Sequence, residues 1–173
     1  MPFLPIFLME EYIVKKFLAF SVLFCCLFLY RAEATTVSFL VIETGLEEDS
    51  PSRQHSGLWE SGLLDEFFNA GFIVSNAPIL RLDRKPSVDL PNVLLGEVEN
   101  AIEGGADFFI YAMLDYNSQL QHPDNISLRM FRINPIRKIH EQNYSVRASS
   151  SLQEDFDNIK IIARGLVPHL NAR

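Results

Sequence analysis

Four histidines, His55, His122, His140 and His169, are the side chains in this chain best suited to proton transfer or metal ligation near neutral pH. They stand far apart, with neither His-x-x-x-His nor Glu-x-x-His spacing, and a zinc site needs three or four converging ligands. Each is therefore expected to be an exposed polar residue. Glu47, Glu48 and Asp49 offer oxygens to a hard cation but lack the spaced ligands and turn glycine of a calcium loop, so a solvated acidic run is expected. Arg81, Arg84 and Lys85 form the one local basic cluster, a place to meet an acidic partner or simply a solvated loop. There is no G-x-S-x-G, no Walker lysine and no G-x-G-x-x-G; Gly104 and Gly105 precede an apolar run, whereas phosphate loops follow a strand and open a helix. No catalytic residue, cofactor-binding residue or metal ligand is assigned, no cofactor is implied, and the chain is expected not to be an enzyme. Asn125 and Asn143 head formal glycosylation sequons, both on predicted strands.

The amino-terminal stretch has to be set aside before the fold is read. Lys15 and Lys16 precede a short apolar run at 17–30, and Ala32-Glu33-Ala34 follows it. A basic region, an apolar core and an A-x-A site make residues 1–34 a secretory signal peptide, with Met9 as an alternative start. The apolar run falls short of the roughly 20 residues of a spanning helix, which disfavours a retained anchor. Cys25 and Cys26 follow no small residue, which disfavours lipidation, and both lie in the leader, so residues 35–173 hold no cysteine and must cohere by burial alone. An exported protein, periplasmic or extracellular, is expected, with no membrane span after cleavage. The leader carries Lys15, Lys16 and Arg31 against Glu10, Glu11 and Glu33, so the net charge of −7 belongs to the remainder. That balance argues against nucleic acid as a partner.

Residues 106–117 are apolar on both alternating faces, bounded by Gly104-Gly105 before and Asn117-Ser118 after, and read as the middle strand of a sheet. Residues 36–43 read as a second central strand. Between them, Ser56 is the expected N-cap of a helix at 57–70 that Gly71 ends, with Trp59, Leu63, Leu64, Phe67 and Phe68 as its sheet-facing stripe and Trp59 as a core residue. Phe72 to Val74 supply a short strand. Residues 76–92 read as a surface loop with Ile79, Leu80 and Leu82 as anchors. Asn92 caps a helix at 93–103 whose face is Leu94, Leu95, Val98, Ala101 and Ile102. Residues 126–133 and 137–146 interleave charged and apolar side chains across Asn134-Pro135, as successive antiparallel strands near a sheet edge would. Ser151 and Glu154 form a capping box for a closing helix with Leu152, Phe156, Ile159, Ile162, Ala163, Leu166 and Val167 on one face and Pro168 in its last turn.

The elements sum to a single α/β domain over 35–173, in the order β-α-β-α-β-β-β-α. Its sheet is mixed, with the parallel part first and the antiparallel hairpin last.

Gly105-Ala106-Asp107 entering an apolar strand, a hairpin of the length of residues 126–146 and the closing helix of the Phe156, Ile159, Ile162, Ala163, Leu166, Val167 type resemble the amino-terminal domain of TolB and the periplasmic domains of CsgG and LpoB-type envelope proteins. Phe68 to Phe72, a helix ending in Gly and running into a short strand, is similar too. The resemblance covers roughly residues 36–170, without TolB's β-propeller or a lipobox. It implies a non-catalytic envelope domain that binds protein partners or assembles into oligomers, a homo-oligomer included. Two expectations follow. In one, an exported envelope protein acts as an interaction or assembly module through the loop at 44–55, the Pro-rich loop or the edge hairpin. In the other, a secreted α/β small-ligand binder or enzyme holds its site at the carboxyl ends of the parallel strands, near Glu43, Thr44, Ser75 and Asn76. A pocket of a few hundred Å3 with converging polar groups at that place favours the second; an open hairpin edge favours the first.

Overall fold

A computed structural model describes residues 34–45, 53–83, 92–116, 122–145 and 151–171, together with residues 16 and 20. The chain divides into two units, Met1–Glu33 and Ala34–Arg173. The leader expected at 1–34 lies almost wholly outside the described residues, among which no helix is long and apolar enough to cross a membrane.

The second unit is a mixed α/β domain. Its elements are β1 (Thr36–Thr44), α1 (Arg53–Asn69), β2 (Ile73–Asn76), β3 (Leu80–Leu82), a 3-10 turn (Asn92–Leu94) leading into α2 (Leu95–Glu103), β4 (Phe108–Asp115), β5 (Asn125–Arg132), β6 (Arg137–Ser145) and α3 (Leu152–Asn171). The sheet runs β2-β1-β4-β5-β6, with β3 also on β1. β1 pairs in parallel with β2, β3 and β4, and β4–β5 and β5–β6 are antiparallel.

β1 and β4 sit at the centre because both of their faces are apolar. Val37, Phe39 and Val41 of β1 with Phe108, Ile110, Ala112 and Leu114 of β4 pack under α1 and α3, against Trp59, Leu63, Phe67, Ile159, Ala163 and Leu166. Leu40 and Ile42 with Phe109, Tyr111 and Met113 face the other way, against Leu94, Val98 and Ala101 of the α2 segment. Asp107 joins the two strands at their start: its carboxylate accepts from Thr36 N–H at 2.8 Å and its own N–H donates to Thr36 O at 2.8 Å. Gly71 and Gly105 end α1 and α2 at φ 88° and 71°, the left-handed geometry that glycine adopts without a Cβ penalty.

Several expectations need correction. The helix at 57–70 starts earlier, at Arg53, so Ser56 is no N-cap; it is buried within α1 and shares a hydrogen bond with the Tyr116 hydroxyl at 3.1 Å. Leu64 and Phe68 are 42% and 71% exposed, because Trp59, Leu63 and Phe67 fill the face α1 turns to the sheet and the other two lie about 100° round the helix. Leu95 and Ile102 are likewise exposed while Leu94, Val98 and Ala101 are buried. Asn92 opens a 3-10 turn, and the residue before α2 is Leu94, with no side-chain cap. The surface loop at 76–92 contains β3. Ala77 N–H still donates to Phe39 O at 2.9 Å, Pro78 has no N–H to give, and the chain rejoins β1 at Leu80, so β2 and β3 are one edge interrupted at a proline.

Candidate functional site

Glu43, Thr44, Ser75 and Asn76 do not meet. Ser75 and Asn76 lie opposite Ser38 and Phe39 near the start of β1, whereas Glu43 and Thr44 lie opposite Arg81 and Leu82 at its end. Five residues of strand at about 3.3 Å each separate the two pairs by roughly 16 Å. Glu43, Thr44 and Asn76 also have side-chain partners. The buried Glu43 carboxylate accepts from Arg81 Nε at 2.7 Å, Thr44 Oγ1 donates to Asp115 Oδ1 at 3.1 Å, and Asn76 Nδ2 donates to Glu60 Oε1. Arg81, one member of the expected basic cluster, is thus committed to the fold; Arg84 and Lys85, with most of the Pro-rich loop, lie outside the described residues. The loop at 44–55, including Glu47, Glu48 and Asp49, is described only at its two ends.

The antiparallel end of the sheet is different. β6 ends the strand order, so among the described residues one row of its backbone N–H and C=O groups has no strand partner. Glu141, Gln142 and Asn143 are exposed; Ile139, His140 and Tyr144 are half-buried. The register shifts between Met130 and Phe131: His140 stands opposite Met130 and Lys138 opposite Phe131, leaving Ile139 as the extra residue of a β-bulge. On the α2 side a polar chain ties β6 to the centre. Tyr111, stacked on Phe131, accepts from Arg129 Nη1 at 2.8 Å, Arg129 Nε donates to Glu141 at 3.0 Å, and Lys138 Nζ reaches the same carboxylate at 2.6 Å. The bonds from Lys138 and Arg129 hold the Glu141 carboxyl below its ordinary pKa.

On the α3 side, a hollow opens at each end of β6. At the Tyr144–Ser145 end it measures about 330 Å3 and is lined by Trp59, Ile126, Ile159, Ile161 and Ile162, with His55, His122, Asp155 and Asn158 among its polar residues. The buried Tyr116 hydroxyl, bonded to Ser56 of α1, is pushed up to about 12, by burial first and by the Glu43 charge, against that hydrogen bond. At the Arg137–Lys138 end it measures about 380 Å3 and is lined by Arg132, Arg137, Lys138, Ile139 and His169.

The histidines are not the exposed residues expected. His55 Nδ1 stands 3.6 Å from Asp155 Oδ2 on the lip of the first hollow, where His122 is half-buried. His140 and His169 stack with ring centroids 3.9 Å apart, and burial, then the neighbouring His140, lowers the His169 pKa. Both pairs join elements remote in sequence, so no spacing could announce them. Among the described residues no three His, Cys, Asp or Glu side chains group to hold a metal ion. Asn125 and Asn143 are exposed on β5 and β6, where the sequons were expected to fall.

No curated protein matches the sequence. Three solved structures are similar in the course of the chain, all bacterial and all distant. A single-substitution variant of the PelC dodecamer from Paraburkholderia phytofirmans is 14% identical, with 81% of this chain and 90% of that one covered and a TM-score of 0.45. The lipoprotein GNA1162 from Neisseria meningitidis is 10% identical, with coverages of 78% and 99% and a TM-score of 0.43. The hypothetical protein CT253 from Chlamydia trachomatis is 15% identical, with coverages of 78% and 98% and a TM-score of 0.39. None of the three is by name a TolB, CsgG or LpoB-type protein, and nothing of their function passes to this chain at such distance. A family profile described as "Uncharacterised protein" matches residues 36–142, more than half of the 173 residues, and the chain belongs to that family.

Proposed function

We propose that this is an exported, non-catalytic protein of the bacterial envelope that works as an interaction module, by adding an extended segment of a partner protein to the open edge of β6. The observation that carries the reading is the position of β6: nine residues long, last in the sheet, and unpaired along one side among the described residues. Main-chain hydrogen bonds to such an edge give affinity without any reactive group. The opposite edge is a poorer platform, since β2 has four residues and β3 three. Export is supported by the leader pattern at 1–34.

A second reading, a small-ligand binder, draws on the hollow of about 330 Å3. It is less well supported, because His55 and Asp155 pair with each other instead of converging on an empty centre. The test is a photo-crosslinking residue placed at Gln142 in the chain expressed in cells, with Ser75 in β2 as the control. An adduct with one envelope protein from Gln142 alone supports the module. Absence of any adduct from Gln142, under conditions that capture a known envelope complex, overturns it.

A further inference from the structure

The two hollows beside β6 have opposite chemistry, and a segment lying along the strand would pass both. At the hairpin end Arg132 and Arg137 contribute positive charge, while the Lys138 ammonium is held by the Glu141 carboxylate at 2.6 Å. The carboxyl end of α3, with His169 in its last turn, opposes them with a partial charge of about half a unit. A carboxylate arriving there is attracted. At the other end Trp59, Ile126, Ile159, Ile161 and Ile162 make the apolar part of a chamber of about 330 Å3, with His55, His122, Asp155 and Asn158 as its polar part. Ile161 is 64% exposed on its lip, and Tyr144 and Ser145 of β6 belong to its wall, so the chamber is continuous with the strand. A few hundred Å3 of apolar lining suits a single large side chain as well as a small ligand.

We propose that the segment added to β6 carries an acidic residue at its Arg137–Lys138 end and a bulky apolar residue, Trp, Phe or Leu, at its Tyr144–Ser145 end. The spacing follows from strand geometry. Both hollows have α3 residues in their walls, His169 in one and Asp155, Asn158 and Ile161 in the other, so the two side chains must project to the same face of the added strand. Side chains alternate along a strand, and the bulge at Ile139 adds one residue to β6, so Arg137 and Tyr144, which share the α3 face, stand opposite Arg132 and Ile126 of β5; an added strand without a bulge likewise spans them in about six residues. The backbone edge then supplies affinity and the two ends supply direction and choice of partner. The inference rests on the edge reading of β6 and adds to it the chemistry of the partner.

The test uses random peptides of about twelve residues, displayed on phage and selected on the purified full chain, with amide hydrogen exchange to locate the winners. Winners are expected to carry Asp or Glu and Trp, Phe or Leu about six residues apart, and to protect amides of β6. Their affinity should fall about tenfold in Arg137→Glu and about tenfold in Ile161→Glu, which change exposed side chains and leave the urea midpoint where it was. Winners that protect β6 but lack such a pair, or that ignore both substitutions, overturn the inference and leave the edge reading standing. Peptides that protect nothing in β6, no winners at all, or β6 protection that rises with chain concentration and no peptide overturn both, the last because a second copy then occupies the edge.

Discussion

β4 and β6 are strands of nearly equal length in one sheet, and they dispose of their side chains in opposite ways. Every residue of β4 from Phe108 to Leu114 is buried, because apolar groups on both faces meet helices on both sides. β6 has no residue as deeply buried; it meets α3 on one face through Ile139 and Tyr144 and carries charge and amide groups elsewhere. The difference teaches where stability and recognition are separated. β4 holds the domain together and has no free edge, whereas β6 leaves one row of backbone groups without a strand partner among the described residues and costs little to alter.

The sharpest way to break that contrast is to truncate one side chain in each strand. Phe109→Ala in β4 is expected to cost about 3–5 kcal/mol and Asn143→Ala in β6 less than about 0.5 kcal/mol, read as shifts of the urea midpoint. Comparable losses would mean that β6 is not peripheral. Next in size, Arg81→Ala strands the Glu43 carboxylate, 1% exposed, and should cost about 1–3 kcal/mol by the same measurement. Gly62→Ala probes how closely α1 and α3 pack on each other, since a Cβ there would lie 2.5 Å from Ile159 Cγ2; overpacking of about 1–3 kcal/mol is expected, and a neutral result would show the helices free to part. Lys160→Ala removes the 2.5 Å contact with Asp65, a solvent-screened pair between the same helices, and should shift the urea midpoint less than Arg81→Ala or Gly62→Ala does.

The smallest effect is one of pH. Burial and His140 lower the folded-state pKa of His169, so unfolding takes up protons in the interval below its ordinary value of 6.5. The stability tied to that group is fully present above pH 6.5 and is lost as pH falls through the lowered value. A urea midpoint that falls on acidification across that interval, and falls less in His169→Gln, is the expected outcome; identical slopes in the two chains would remove His169 from the account.

The architecture was largely legible because its strongest signals are local. Two uninterrupted apolar runs became β1 and β4, glycines marked the ends of α1 and α2, and the Ser151 hydroxyl accepts from Glu154 N–H at 3.2 Å as the capping box required. The mixed sheet followed from connection lengths, since the short link at 134–136 permits only antiparallel pairing. What could not be read was set by tertiary contact. β3 is three residues behind a proline, too short for a periodicity. The helical stripes were broader than the faces the sheet could cover, which left Leu64, Phe68, Leu95 and Ile102 in solvent. His55 with Asp155 and His140 with His169 come together only after α3 has folded back along β6, and the two hollows are products of the same event.

Successive N–H groups of a strand point to opposite sides, so of two neighbouring residues in β6 one donates toward the open edge. Proline at Gln142 and proline at Asn143, tested one at a time for capture of the partner in cells, therefore ask the central question directly. The account predicts that one of the two variants loses capture about tenfold or more while its urea midpoint stays near that of the unaltered chain. Undiminished capture by both variants would contradict it.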